Sequence, residues 1–279
     1  MRSVLIVLAT AVALATAGAA SATPDQAEAT PASTDLVIDA QSAPIGAVLG
    51  RGDRVGDSCR FGELEVSQEA AGRDSVWAAI RVNKRCEVSV IARWTGALID
   101  RPAGVLSQVE DAGLVEATFS KEGGPAGQTN QSLGTTLAAA SCSTHEQQII
   151  HYGYGGPTDR LTRLVGKMVA CENATTFTSV SQTGTCYATD PPGGWTWVIE
   201  RCYSGGAWYT STTAQTIEKG DFHCSPRSSF PCNIVDPDGY DHTLTTKERK
   251  TRGGSTVCTA WLTGLDVVGS YQDIIQGCR

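Results

Sequence analysis

Residues 171–202 read CENATTFTSVSQTGTCYATDPPGGWTWVIERC. Cys171, Cys186 and Cys202 are almost evenly spaced, alternating polar and apolar residues lead into each turn, and Pro191-Pro192-Gly193-Gly194 breaks the stretch in the middle. Period-two alternation bounded by Pro/Gly turns is the pattern of short antiparallel strands. Cysteines at strand ends in such a chain read as disulfide staples. The stretch therefore points to an all-β, disulfide-tied protein, and outward from it the rest of the chain follows the same grammar.

On the C-terminal side, residues 195–203 continue the alternation: Trp195, Trp197, Ile199 and Tyr203 share one parity, and Thr196, Val198, Glu200 and Cys202 the other. Residues 208–217 form a Thr-rich segment read as one half-exposed strand, and residues 256–268 carry Trp261 on the opposite parity from Cys258. The basic run at residues 247–252, followed by Gly253-Gly254, reads as a solvated hairpin tip. On the N-terminal side, strands are expected over residues 59–66, 75–82 and 88–94, with a phase break at Gly62 that suggests a bulge. Residues 102–115 are the best helix candidate, with Pro102 near the start and Gly113 near the end. Many short strands at this spacing predict an antiparallel β-sandwich with a smaller N-terminal β subdomain.

The domain order follows from composition. Residues 1–22 have Arg2, an apolar run over 4–15 and the Ala20-Ser21-Ala22 cleavage pattern of a signal peptide. Residues 23–46 are rich in Ala, Thr, Ser and Pro and read as a flexible arm or a pro-segment. An N-terminal β subdomain over 47–120, a Gly/Ser/Thr-rich linker over 121–141 and a Cys-rich domain over 142–279 complete the reading. No later stretch is apolar enough for a membrane-spanning helix once the signal is removed.

All ten cysteines follow the signal: Cys59, Cys86, Cys142, Cys171, Cys186, Cys202, Cys224, Cys232, Cys258 and Cys278. An even number in an exported chain implies disulfides, and neighbouring strands suggest Cys59 with Cys86, Cys142 with Cys171 and Cys186 with Cys202. No C-x-x-C occurs, which argues against structural zinc. The formal net charge of −7 argues against nucleic acid or anionic membrane as a partner, because those surfaces require a basic face.

Catalytic signatures are missing. There is no G-x-S-x-G, H-E-x-x-H, G-x-x-x-x-G-K-[ST] or G-x-G-x-x-G, and paired cysteines leave no thiolate nucleophile. His223 beside Asp221, and His242 beside Asp241, are the candidates for a histidine base with a carboxylate. Asp236, Asp238 and Asp241 surround a glycine in a turn and offer the oxygen set that calcium takes, although the spacing is not that of an EF-hand. Arg51-Gly52-Asp53 spells an adhesion tripeptide, a match too short to carry function.

The aromatic side chains carry the main functional expectation. Trp195, Trp197, Tyr203, Trp208 and Tyr209 cluster in a chain that is only 6% aromatic. On a regular strand the first three face one way, and an exposed row of flat rings stacks against sugars. The competing reading makes these rings core. The expectation is thus a secreted binding protein for glycan or cell-surface material with no cofactor beyond calcium. The alternatives are a secreted hydrolase built on His223 or His242 and a disulfide-rich inhibitor or toxin.

Overall fold

The structure, a computed structural model, describes residues 34–56, 58–72, 74–105, 114–126, 140–153, 160–189, 196–225, 240–264, 266–268 and 271–279. Among them the strands in chain order are β1 (Leu36–Asp39), β2 (Gly50–Arg51), β3 (Asp53–Val55), β4 (Ser58–Arg60), β5 (Glu63–Ala70), β6 (Val76–Asn83), β7 (Glu87–Thr95), β8 (Leu114–Pro125), β9 (Ser141–Gly153), β10 (Arg160–Glu172), β11 (Phe177–Thr189), β12 (Thr196–Tyr209), β13 (Thr213–Ser225), β14 (Tyr240–Thr251), β15 (Thr256–Thr263), β16 (Asp266–Val268) and β17 (Tyr271–Cys278). The protein is all-β, and its one helical turn among the described residues is a 3₁₀ turn at Leu98–Asp100. The helix expected over 102–115 is not formed at its C-terminal end, where Leu114 and Val115 open β8; residues 106–113 lie outside the described residues.

Fourteen strands make one sheet in the order β1-β5-β15-β14-β13-β12-β8-β11-β10-β9-β17-β6-β7-β2, and β16-β4-β3 form a small second sheet. The large sheet is nearly closed. Its two halves join at a two-residue parallel seam where Trp208 and Tyr209 of β12 meet Gly124 and Pro125 of β8. Gly123 permits that approach, since a Cβ there would lie 2.8 Å from the Ala207 carbonyl carbon. At the opposite margin the chain after β1 runs beside β7, with Gly46 N donating to Val90 O and Leu49 N to Val88 O, each at 2.8 Å. The main core is shared by the two halves of the sheet: Leu64, Leu244, Leu262 and Phe222 come from one, and Ile80, Ile149, Leu164 and Ile274 from the other. A second cluster (Trp77, Ala79, Ile150, Tyr152, Ile275) packs on the other face of β6, β17 and β9 beneath Leu98, Val105 and Leu114.

Strands from both ends of the chain share this sheet. β5 pairs with β15 and β6 pairs with β17, so residues 63–83 are interleaved with residues 256–278. The division into subdomains at 121–141 does not describe this pairing, because residues 121–125 are the end of β8 and their glycines serve the seam. The expected arm over 23–46 likewise ends early. The LVID alternation of β1 pairs in parallel with β5 and buries Ile38; residues 1–33 lie outside the described residues.

Disulfides join Cys59–Cys86, Cys142–Cys171, Cys186–Cys202 and Cys258–Cys278. Cys142 and Cys171 stand directly opposite each other on β9 and β10. Cys224 is on the backbone of β13, and Cys232 lies outside the described residues.

A candidate ligand groove on the outer sheet face

The groove is built by lateral register. On β14 the inward residues are His242, Leu244, Thr246 and Glu248, and the outward ones Asp241, Thr243, Thr245 and Lys247. Directly opposed residues in neighbouring antiparallel strands share a face. Following the partners gives a transverse row Glu65–Trp261–Thr245–Lys219–Tyr203 from β5 to β12. A parallel row, Glu63–Thr263–Thr243–Asp221–Arg201, runs beside it. All of these residues except Glu65 line an open groove of about 620 Å³, to which Glu200, Ile217, Phe222, Asp241 and His242 also contribute. Trp261 and Tyr203 are three strand intervals apart, about 14 Å at the usual strand spacing.

Both rings are held in place. Trp261 Nε1 donates to Glu65 Oε2 at 2.9 Å, and Lys247 Nζ stands 4.8 Å from the ring centroid. The Arg201 guanidinium lies 5.0 Å from the centre of Tyr203. Arg201 is fixed in turn by Asp221, with Nε at 2.9 Å and a terminal nitrogen at 2.7 Å from Oδ2, while Thr243 Oγ1 donates to Asp221 Oδ1 at 2.9 Å. Burial, with the Asp221 carboxylate adding to it, pushes the Tyr203 phenol above its usual pKa, so it stays a neutral hydroxyl.

The aromatic residues expected to face one way are divided by β-bulges. The β12–β13 register shifts between Ile199 and Arg201, and again between Ser204 and Gly206. One extra residue reverses the face of everything beyond it. Trp197 therefore points inward and is only 6% exposed, with its ring 4.5 Å from His242, while Tyr203 points outward into the groove. Trp208, opposite the outward Gln215, is half-buried; Tyr209 packs on the cluster formed by Met168, Phe177 and Val180. Trp195 lies outside the described residues. The expected continuous strand over 208–217 is broken by a threonine turn: Thr210 N donates to Thr213 O, and Thr210 Oγ1 accepts from Thr213 N at 3.0 Å.

The histidines take three environments. His223 Nδ1 is 2.5 Å from Asp241 Oδ1 at one end of the groove. That contact engages Asp241 of the expected calcium loop, and Asp236 and Asp238 lie outside the described residues. His242 is buried, hydrogen-bonded through Nε2 to Thr162 Oγ1 at 2.7 Å, and set between Phe222, Trp197 and His151. Burial, with His151 beside it, holds His242 well below the usual histidine range, so this residue is a neutral core group. His151 is pulled down to about 4 by burial and bonds Gln272 Oε1 at 2.8 Å. His145 lies between Ser143 and Thr256, 2.9 Å from each hydroxyl, and burial together with Lys250 lowers it to about 4.

Two other motifs are absorbed by structure. Gly52 of the Arg-Gly-Asp tripeptide is buried, its Cβ position filled by the Phe61 ring, and Arg51 pairs with Glu87 at 2.6 Å. The basic run read as a solvated tip is mostly strand β14, with Glu248 fully buried inside it. The groove residues missed by sequence reasoning are Trp261, Lys219 and Thr245; their signal is a Thr/Trp/Lys column of constant parity on three successive strands.

Comparison with protein-family models, curated proteins and solved structures gave no match to this chain. Among the described residues no helix is long and apolar enough to cross a membrane.

Proposed function

We propose that this is a secreted binding protein that takes an extended carbohydrate chain across the outer groove. The observation that carries the reading is the row Trp261–Thr245–Lys219–Tyr203: two ring systems about 14 Å apart, with hydrogen-bonding side chains between them. A flat ring offers an apolar face to a sugar, and the hydroxyl, ammonium and carboxylate groups between can address its hydroxyls. Rings already fixed by Glu65, Lys247 and Arg201 lose little freedom on binding. Export is supported by the signal-like N-terminus and the four disulfides. In our reading the two strand layers are a sandwich whose layers are continuous at the β8–β12 seam. A glycan array probed with the mature, oxidised protein tests the proposal: selective retention on a family of extended glycans is expected, and a blank array overturns it.

A second reading, a hydrolase, rests on the His223–Asp241 contact at the groove's end. A carboxylate at that distance orients an imidazole as a base. Among the described residues no hydroxyl bonds His223, so the base would have to activate water. Turnover of chromogenic ester and glycoside panels that disappears in His223→Ala would favour it; equal rates in both proteins would remove it.

A further inference from the structure

Between the two layers, below the main apolar core, lies a polar cluster unrelated to the groove. Glu218 and Glu248 are fully buried, on the inward faces of β13 and β14. Their cross-strand partners are Thr246 and Thr216 respectively, so the two carboxyls are diagonal neighbours. The facing layer contributes Gly166, whose absent side chain makes room: a Cβ there would lie 2.5 Å from Glu218 Oε2 and 2.8 Å from Thr246 Oγ1. Gly166 is flanked by Gln147 on β9, and the next inward residue, Met168, by Gln182 on β11. Thr246 Oγ1 donates to Glu218 Oε2 at 2.9 Å. By hydrogen-bond geometry the cluster's other side-chain atoms are unpartnered: Glu218 Oε1, both Glu248 oxygens, Thr216 Oγ1, and Oε1 and Nε2 of both Gln147 and Gln182; the Thr216 hydroxyl lies beside Glu218, and the backbone amides of Gln147 and Met168 beside Glu248.

We propose that Glu218, Glu248, Gln147, Gln182 and Thr216 form an internal calcium site. Buried polar atoms are almost always partnered, so six unpartnered oxygens on the facing strands of one buried cluster call for a ligand that oxygen donors can hold. Among the described residues no Lys or Arg forms an ion pair with either carboxyl. Two carboxylates therefore call for a divalent cation, and the set is all oxygen, without sulfur or imidazole. Calcium takes six to eight such oxygens, carboxylate and Gln carbonyl included, whereas magnesium keeps several waters and uses few protein ligands. The site is enclosed, so exchange with calcium or chelator is slow and is brought to equilibrium before each measurement.

The test is calcium content and affinity of the mature, oxidised protein, by native mass spectrometry and calorimetry, with thermal unfolding in calcium and in chelator. One calcium ion per chain is expected, with a higher Tm in calcium. Glu248→Gln should abolish binding. Thr216→Val, which keeps the side-chain volume and removes one oxygen, should weaken it about tenfold, so the test survives if Glu248→Gln does not fold. No bound calcium overturns the site, as does calcium bound with unchanged affinity in Thr216→Val. A Glu218→Gln/Glu248→Gln protein at least as stable as wild type in calcium also overturns it, because the carboxyls would then be held as neutral acids.

Discussion

Replacing Glu218 by Gln should change how stability depends on pH, by an amount that follows from where the side chain lies. Without a bound cation, burial raises Glu218 from 4.5 to about 7. A group whose folded pKa is raised contributes stability that is complete below the unfolded value and is lost as pH climbs through the folded one. For Glu218 the window is 4.5 to 7, and at 1.36 kcal/mol per pH unit the loss is about 3 kcal/mol. His151 works in the opposite sense. Its folded pKa is lowered from 6.5 to about 4, so its contribution is complete above 6.5 and is lost as pH falls, again about 3 kcal/mol. Wild type in chelator should therefore still gain stability from pH 4.5 to 6.5, because the three lowered histidines, His145, His151 and His242, outnumber the two raised carboxyls, Glu218 and Glu248. It should fall off on the acid side, where His242 adds to His151, and on the alkaline side, where Glu248 adds to Glu218. Glu218→Gln removes one slope only. Urea unfolding followed by tryptophan fluorescence at four pH values should show the variant gaining about 3 kcal/mol relative to wild type from pH 4.5 to 7. Parallel stability curves for the two proteins would refute the reasoning, since Glu218 would then ionise alike in the folded and unfolded chains.

Three further outcomes follow from packing. Trp197→Ala, in the core against His242, should cost about 3–5 kcal/mol in urea unfolding, whereas Tyr203→Ala in the groove should stay within about 1 kcal/mol of wild type; similar costs would contradict the face reversal in β12. Gly166→Ala should destabilise by about 1–3 kcal/mol, because the added methyl displaces the Glu218 carboxyl, and a neutral effect on Tm would contradict the close approach. Cys142→Ser/Cys171→Ser opens a link across 29 residues, for which loop entropy gives about 3–4 kcal/mol, and an unchanged midpoint in urea would refute that value.

Much of this architecture was legible in the chain. The alternation at residues 88–94 marks β7, the expected strand over 256–268 holds β15 but breaks after Thr263 with Asp266–Val268 in the second sheet, and the spacing of Cys59, Cys86, Cys142, Cys171, Cys186 and Cys202 reflects neighbouring strands. What was hidden has physical causes. A bulge leaves no composition signal, so Trp197 and Tyr203 looked like residues of one face. The clue was Cys202: Trp197 and Ile199 are inward on odd positions, and a cysteine bonded to the buried Cys186 must also be inward, which requires a slip between 199 and 202. The interior polar cluster was hidden because β14 reads Thr-Leu-Thr-Thr-Lys-Glu-Arg-Lys, polar on both faces; only the facing layer reveals that Glu248 is inside. The groove depends on the lateral register of five strands, which pairs residues nearly 200 positions apart, such as Glu65 and Trp261, and which local patterns do not specify.

In the proposed function Trp261 and Tyr203 act as one binding row. Calorimetric titration of the strongest array glycan into wild type, Trp261→Ala and Tyr203→Ala measures it directly. Each substitution is expected to weaken binding about tenfold, the equivalent of roughly 1.4 kcal/mol of ring contact, with the fold intact by circular dichroism. Wild-type affinity in both variants would contradict it.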